Sequence, residues 1–201
     1  MRNKIWFMAI VLGIVAFIAG LALAGVKGMT TPIIEKRILE QKIKPSLDKF
    51  FGSLDLENDC IEDRQVLDLG KDARGRKQVT TLFLGKKGGK VVVAALKTKA
   101  AGFGGDIEVL TAFSLDDKKI LGVKTLSQSE TMGLGARVSN DAEPFIQQFS
   151  GMNYSDGVAM RSKGGLVDAI SGATVSSVAF TAAVIRATEL VEKNVGSAAA
   201  N

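Results

Sequence analysis

Residues 168 to 177 read Asp-Ala-Ile-Ser-Gly-Ala-Thr-Val-Ser-Ser, which places small hydroxyl side chains and a glycine at the start of a long helical pattern. The first turn of a helix has N–H groups without intrahelical acceptors and carries partial positive charge, so this spacing suits an anion. Gly172 and Ala173 leave the backbone open to a phosphate, and such a site needs no lysine. The same residues also fit a plain helix cap, with Ser171 or Thr174 as the capping hydroxyl at a value of about 1 kcal/mol. Upstream, Ser129-Glu130-Thr131-Met132-Gly133-Leu134-Gly135 sets a carboxylate ahead of two glycines. Alone, that stretch reads as a structural turn.

What the chain lacks narrows the chemistry. It has no histidine and a single cysteine, Cys60, which removes most metal, haem and iron–sulfur sites and all histidine acid–base catalysis. An intrachain disulfide is impossible, and Cys60 reads as a small buried side chain. Redox work in such a chain therefore requires an organic cofactor. Lys86, Lys87 and Lys90 lie in a Gly-containing loop without interleaved aromatics, so a solvated turn is expected there and no nucleic-acid footprint.

Ser171-Gly172-Ala173-Thr174, with Asp168 ahead of it, resembles the flavinylation motif Asp-x-x-Ser-Gly-Ala-Thr. That motif belongs to the FMN-binding domain found in the G subunit of Rnf-type electron-transport complexes and in the C subunit of sodium-pumping NADH:quinone reductases. The Glu130 to Gly135 stretch is similar to the family's Glu-Thr-Pro-Gly-Leu-Gly loop, with Met132 in place of a proline that would stiffen the turn. Gly102-Phe103-Gly104-Gly105 resembles the family's aromatic-Gly-Gly segment, and Lys163-Gly164-Gly165 its turn before the modified loop. The resemblance runs over nearly the whole chain, although only the first two motifs are sharply diagnostic.

The resemblance implies FMN held covalently as a phosphoester on Thr174, installed by a separate transferase that uses FAD and a divalent metal. Ser171, Gly172, Ala173, Glu130, Thr131, Gly133, Leu134 and Gly135 would form the cofactor site. Asp168 would serve transferase recognition or loop geometry, and Lys163 would face the flavin or its phosphate. The implied role is an electron-relay subunit of a ferredoxin- and NAD-linked ion-translocating complex, with iron–sulfur and flavin subunits as partners and no catalytic centre of its own. The C subunit of the quinone reductase is the nearest alternative, followed by a stand-alone extracytoplasmic flavin reductase. A non-redox domain in which the tetrapeptide merely caps a helix would carry no flavin.

The elements that must position these residues begin with an uncharged run of 22 residues, Ile5 to Val26, which spans about 33 Å as a helix and is long enough to cross a bilayer. Arg2 and Lys4 precede it, favouring a cytoplasmic N-terminus and an extracytoplasmic domain in the inner membrane. A cleaved signal peptide is the competing reading, because Ala22-Leu23-Ala24 has the small-residue pattern of a cleavage site. Without Arg2 and Lys4 the chain has 24 basic against 21 acidic residues, nearly neutral. The expected organisation is an anchor over residues 1–27 and an FMN-binding domain over 28–201.

Within that domain, Thr30-Thr31-Pro32 reads as the start of an amphipathic helix over 33–51, broken near Pro45. Alternating β-branched segments predict strands over 64–69, 78–84, 90–96, 107–113 and 120–126, consecutive and hence antiparallel. A short helix over 141–149 and a long one over about 175–194 follow, the latter with Phe180, Ala183, Val184, Ala187, Leu190 and Val191 on one face and Gly196 beyond it. The fold class expected is α+β, a single N-terminal transmembrane helix followed by an antiparallel sheet with flanking helices.

Overall fold

The apolar N-terminal run forms one long helix, α1 (Arg2–Ile38), of a length and character able to cross a membrane, as an anchor or signal segment does. The computed structural model describes residues 2–52, 54–71 and 77–195, so the expected stop at Gly196 and the tail after it lie outside the described residues. The helix does not restart at Pro32, contrary to the expectation from Thr30-Thr31-Pro32. Both threonine hydroxyls turn back along the helix, Thr30 to the carbonyl of Val26 at 2.9 Å and Thr31 to that of Lys27 at 2.7 Å. With their oxygens used as back-bonding donors they cannot cap, and a proline within a helix removes only one ladder hydrogen bond. The interruption comes later, where Leu39–Ile43 winds as a π-helical turn before α2 (Lys44–Phe51), whose first turn contains Pro45.

The chain divides into two units between Lys42 and Ile43. The second unit is built on five antiparallel strands, β1 (Gln65–Lys71), β2 (Lys77–Lys87), β3 (Lys90–Ala101), β4 (Asp106–Ser114) and β5 (Lys119–Ser127), in the sheet order β1-β2-β3-β4-β5. All five expected strands are present, several of them longer than read. The alternation of side chains that revealed them gives the sheet two apolar faces. On one face Leu82, Leu96, Ile107, Val109 and Phe113 join the buried face of the last helix, α4 (Thr174–Asn194), where Phe180, Ala183, Val184, Ala187 and Val191 have almost no exposure. Burying each of the larger side chains contributes roughly 2 kcal/mol, so this layer fixes where α4 begins. The buried Thr98 hydroxyl donates to the carbonyl of Ala183 at 2.8 Å and ties β3 to the same helix. Against the opposite face, Phe50 of α2 lies so close to Gly122 that a Cβ there would enter its ring, and Leu47 and Phe51 are buried.

Between β5 and α4 the chain is mostly short turns. The helix expected over 141–149 is only α3 (Pro144–Gln147). The preceding residues are drawn into other bonds: Asp141 pairs with Lys124 at 2.7 Å, Asn140 accepts from the Ala142 N–H, and Glu143 pairs with Arg137. Phe145 and Phe149 of this region stack with Phe180 at ring-centroid distances of 5.4 Å, which seats α3 against α4. Cys60 is buried as expected; burial first, and then Asp59 beside it, push its thiol upward and keep it protonated.

Candidate functional site

Thr174 is the first residue of α4 and is exposed. The N-cap is Ala173, with no side-chain cap bond, so neither Ser171 nor Thr174 performs the capping that would explain these hydroxyls most simply. The Thr174 hydroxyl has no hydrogen-bond partner among the described residues. The backbone N–H groups of Thr174, Val175 and Ser176 likewise have no acceptor among the described residues, whereas Ala173 donates to Ile170 and Ser177 to Ala173, each at 3.0 Å. Three free N–H groups at the positive end of a 21-residue helix are a ready phosphate site, and an uncommitted hydroxyl stands among them. Gly172, at φ +77, makes the turn into the helix in a conformation that costs a side-chain-bearing residue energy.

Two residues beyond Thr174 the site is braced from within. Ser176 donates to Oε2 of Glu130, which is 7% exposed, and Gly104 donates its N–H to Oε1 at 2.9 Å. Burial, the largest single influence, would raise the Glu130 carboxyl. The hydrogen bonds from Ser176 and from the N–H groups of Gly104, Phe103 and Gly105 outweigh it and hold the group below the usual carboxylate range. Glu130 thus joins the Phe103 loop, its own loop and the start of α4. Its negative charge near the helix N-terminus is favourable, yet it consumes none of the three free N–H groups.

The rest of the Glu130 loop wraps this brace. The carbonyl of Thr131 accepts from Leu134 and Ala136, Gly133 turns at φ +75, and Leu134 reaches toward the α-carbon of Gly172. Gly135 is buried with Ser176 and Glu130 so near that a Cβ would collide with both. Gly135→Ala should therefore destabilise the domain by about 1–3 kcal/mol, read as a lower thermal unfolding midpoint. Ser177, meanwhile, receives the Ile170 N–H and donates to the Ala173 carbonyl, both at 3.0 Å, latching the 170–174 turn onto its own helix.

Asp168 is exposed and forked to Arg161, whose hydrogen bond is the main reason its carboxyl lies below the usual range. Lys163 sits in the turn Arg161–Lys163, exposed and without an ion pair among the described residues. Chain pairing between Met160 and Val167 closes the loop that carries it. The structure thus brings Glu130, Leu134, Gly135, Gly172, Ala173 and Thr174 into one cluster, with Asp168 at its entrance. It joins Lys163 to none of them by a hydrogen bond or ion pair.

Residues 102–189 match the FMN-binding domain family, a span enclosing every residue of this cluster. Across 95% of its length the chain is 28% identical to the G subunit of an ion-translocating oxidoreductase complex from Buchnera aphidicola, covering 89% of that protein. Similarity at 28% identity extends over 94% of the chain and 93% of the G subunit of a proton-translocating ferredoxin:NAD(+) oxidoreductase complex from Clostridium ljungdahlii. The chain carries an FMN-binding domain match over residues 102–189 and is similar to these G subunits over nearly its whole length. A solved structure, the C subunit of a Na(+)-translocating NADH-quinone reductase from Parabacteroides distasonis, superposes at a TM-score of 0.49 with 21% identity, over 64% of this chain and 76% of that one.

The FMN-binding domain contains working parts that sequence reasoning did not pick out. Ser176 and Ser177 come just after Val175 in the first turn of α4 but look like ordinary helix residues, and their partners are 46 and 7 residues away. Arg161 and Gln148, which hold Asp168, belong to no recognisable local pattern. The one available signal was the density of small residues after Thr174, since Ser-Ser is a poor choice for a helix interior unless its hydroxyls are used.

Proposed function

We propose that this chain is the FMN-carrying electron-relay subunit of an Rnf-type ion-translocating complex, with FMN joined through its phosphate to Oγ of Thr174. The observation that carries this reading is the Thr174 hydroxyl beside three N–H groups, all without partners among the described residues, inside the segment that matches the FMN-binding domain. When bound, FMN supplies one- and two-electron redox chemistry. In the attachment reaction the bond from Thr174 Oγ to the FMN phosphorus forms as the phosphoanhydride of FAD breaks. AMP departs, and the hydroxyl proton is released to water.

The chain's own residues then hold the group in place. The N–H groups of residues 174–176 neutralise the phosphate, and Gly172 allows its close approach. Phe103, Met132, Leu134 and Val175 are exposed apolar side chains on the loops and helix end that meet here, and they offer the ring an apolar surface. A phosphate linkage leaves the ring itself unsubstituted, so its potential is tuned by these neighbours. Covalent attachment keeps the cofactor from being lost outside the cytoplasm.

In this reading α1 is a retained single-pass anchor with its N-terminus in the cytoplasm. The full chain should remain with membranes through alkaline carbonate washing and keep its N-terminal residues on sequencing; recovery beginning near Gly25 would mean a cleaved signal instead. The partners are the other membrane, iron–sulfur and flavin subunits, and the transferase during maturation. Co-expression with the transferase should give a band that fluoresces as flavin on a denaturing gel and co-purifies with an iron–sulfur protein of the complex. A dark band would overturn the covalent-flavin reading of the tetrapeptide.

A further inference from the structure

Asp168, the acidic position of the motif, has both carboxylate oxygens engaged by one side chain of its own domain. Arg161 donates from Nε to Oδ1 at 2.5 Å and from Nη2 to Oδ2 at 2.9 Å, the planar fork that matches a carboxylate. The backbone of Asp168 is engaged as well: Gln148 accepts its N–H at 2.7 Å and donates to its carbonyl at 3.1 Å. Upstream, the Arg161 N–H donates to the Val167 carbonyl at 2.7 Å and Gly165 donates to Met160 at 3.0 Å, so residues 160–167 form a closed loop. Downstream, Ile170 is latched to α4 through Ser177. The exposed turn 171–172 is therefore bracketed, by the Asp168 clamp on one side and the helix start on the other.

We infer that Arg161 and Asp168 act as one positioning pair that sets how the 171–174 turn is presented to the flavin-attaching enzyme. The acid at position 168 then serves the fork to Arg161, and the transferase does not read the carboxylate itself. This inference rests on the proposed attachment at Thr174. The alternative, direct recognition, would use the lone pairs that the fork leaves free on a carboxylate already fixed in direction by Arg161. Because both side chains are exposed, at 64% and 58%, the pair adds little to global stability. Its effect is on the conformation of one loop.

The test compares the full chain in detergent as wild type, Arg161→Ala, Asp168→Asn and the charge-swapped double variant Arg161→Asp with Asp168→Arg. Each is incubated flavin-free with purified transferase, FAD and magnesium, and the initial rate of flavin attachment is measured. Amide hydrogen exchange over residues 164–172 of each flavin-free chain supplies a readout independent of the flavin. Both single variants should attach flavin about three- to fivefold more slowly than wild type and exchange faster in that loop. The swapped pair should recover rate and protection together. Wild-type rate in Arg161→Ala with a slow Asp168→Asn, or recovered protection without recovered rate in the swap, would mean that the transferase reads Asp168 directly and would overturn the inference. A wild-type chain that acquires no flavin at all removes the attachment reading itself, a result distinct from any difference among the variants.

Discussion

Thr174→Val should abolish flavin attachment completely while leaving the unfolding midpoint of the flavin-free protein within the range of a neutral surface change, about 0.5 kcal/mol. Both halves of this expectation come from the same geometry. Valine matches threonine in shape, and the hydroxyl it removes has no hydrogen-bond partner among the described residues, so no protein bond is lost with it. The position is exposed and lies at the first turn of α4, where helix stability does not depend on that side chain. A residue whose hydroxyl served as a cap would behave differently, losing about 1 kcal/mol on the same substitution. In-gel flavin fluorescence and thermal unfolding, run on the same preparations, separate the two roles.

The second large effect is expected at Glu130. Glu130→Ala would leave the Ser176 hydroxyl and the N–H groups of Phe103, Gly104 and Gly105 without their buried acceptor, and hydrogen bonds to a charged group are worth more than neutral ones. A loss of about 3 kcal/mol follows, enough to lower the unfolding midpoint by roughly 6–12 °C in a domain of this size. Chemical denaturation of the flavin-free protein measures it. Because the folded-state carboxyl is held below its unfolded value, its stabilisation is complete above the unfolded value and is lost as pH falls through the lowered one. Acidification should accordingly destabilise wild type more steeply than Glu130→Gln, which has no such proton to take up. Equal acid sensitivity of the two proteins would mean that Glu130 is not the ionised brace described here.

Much of this architecture was legible in the residues before any coordinates. Strands β2 to β5 declare themselves through β-branched and apolar segments bounded by turn residues, and α4 through the spacing of Phe180, Ala183, Val184, Ala187 and Val191, all buried against β3 and β4. The tetrapeptide Ser171 to Thr174 was legible as the lead into the last helix because helix-end physics is local. What sequence could not supply was non-local. Whether Ser171 or Thr174 capped the helix depended on where the first turn begins, and the answer, Ala173, is set by the packing of α4 as a whole. The contact from Glu130 to Ser176 crosses 46 residues, and the fork from Arg161 to Asp168 depends on a loop closed by the pairing of Met160 with Val167. Pro32 misled for a different reason. Proline is a strong boundary signal in isolation, but two preceding threonines that bond back to Val26 and Lys27 accompany an unbroken helix.

The arrangement also assigns separate tasks to the two halves of the motif. Asp168 shapes the entrance of the turn, Ser177 fixes its exit, and Thr174 presents a hydroxyl that no other group among the described residues uses.

Peptide mapping by mass spectrometry addresses the central claim most directly. The chain is co-expressed with the flavin transferase, purified in detergent, denatured, digested and mass-analysed. The peptide spanning residues 164–186 should carry an added mass equal to FMN less one water, with fragmentation placing it on Thr174. An unmodified peptide from a protein that has been exposed to active transferase, or the same added mass on Ser171, Ser176 or Ser177, would contradict the account.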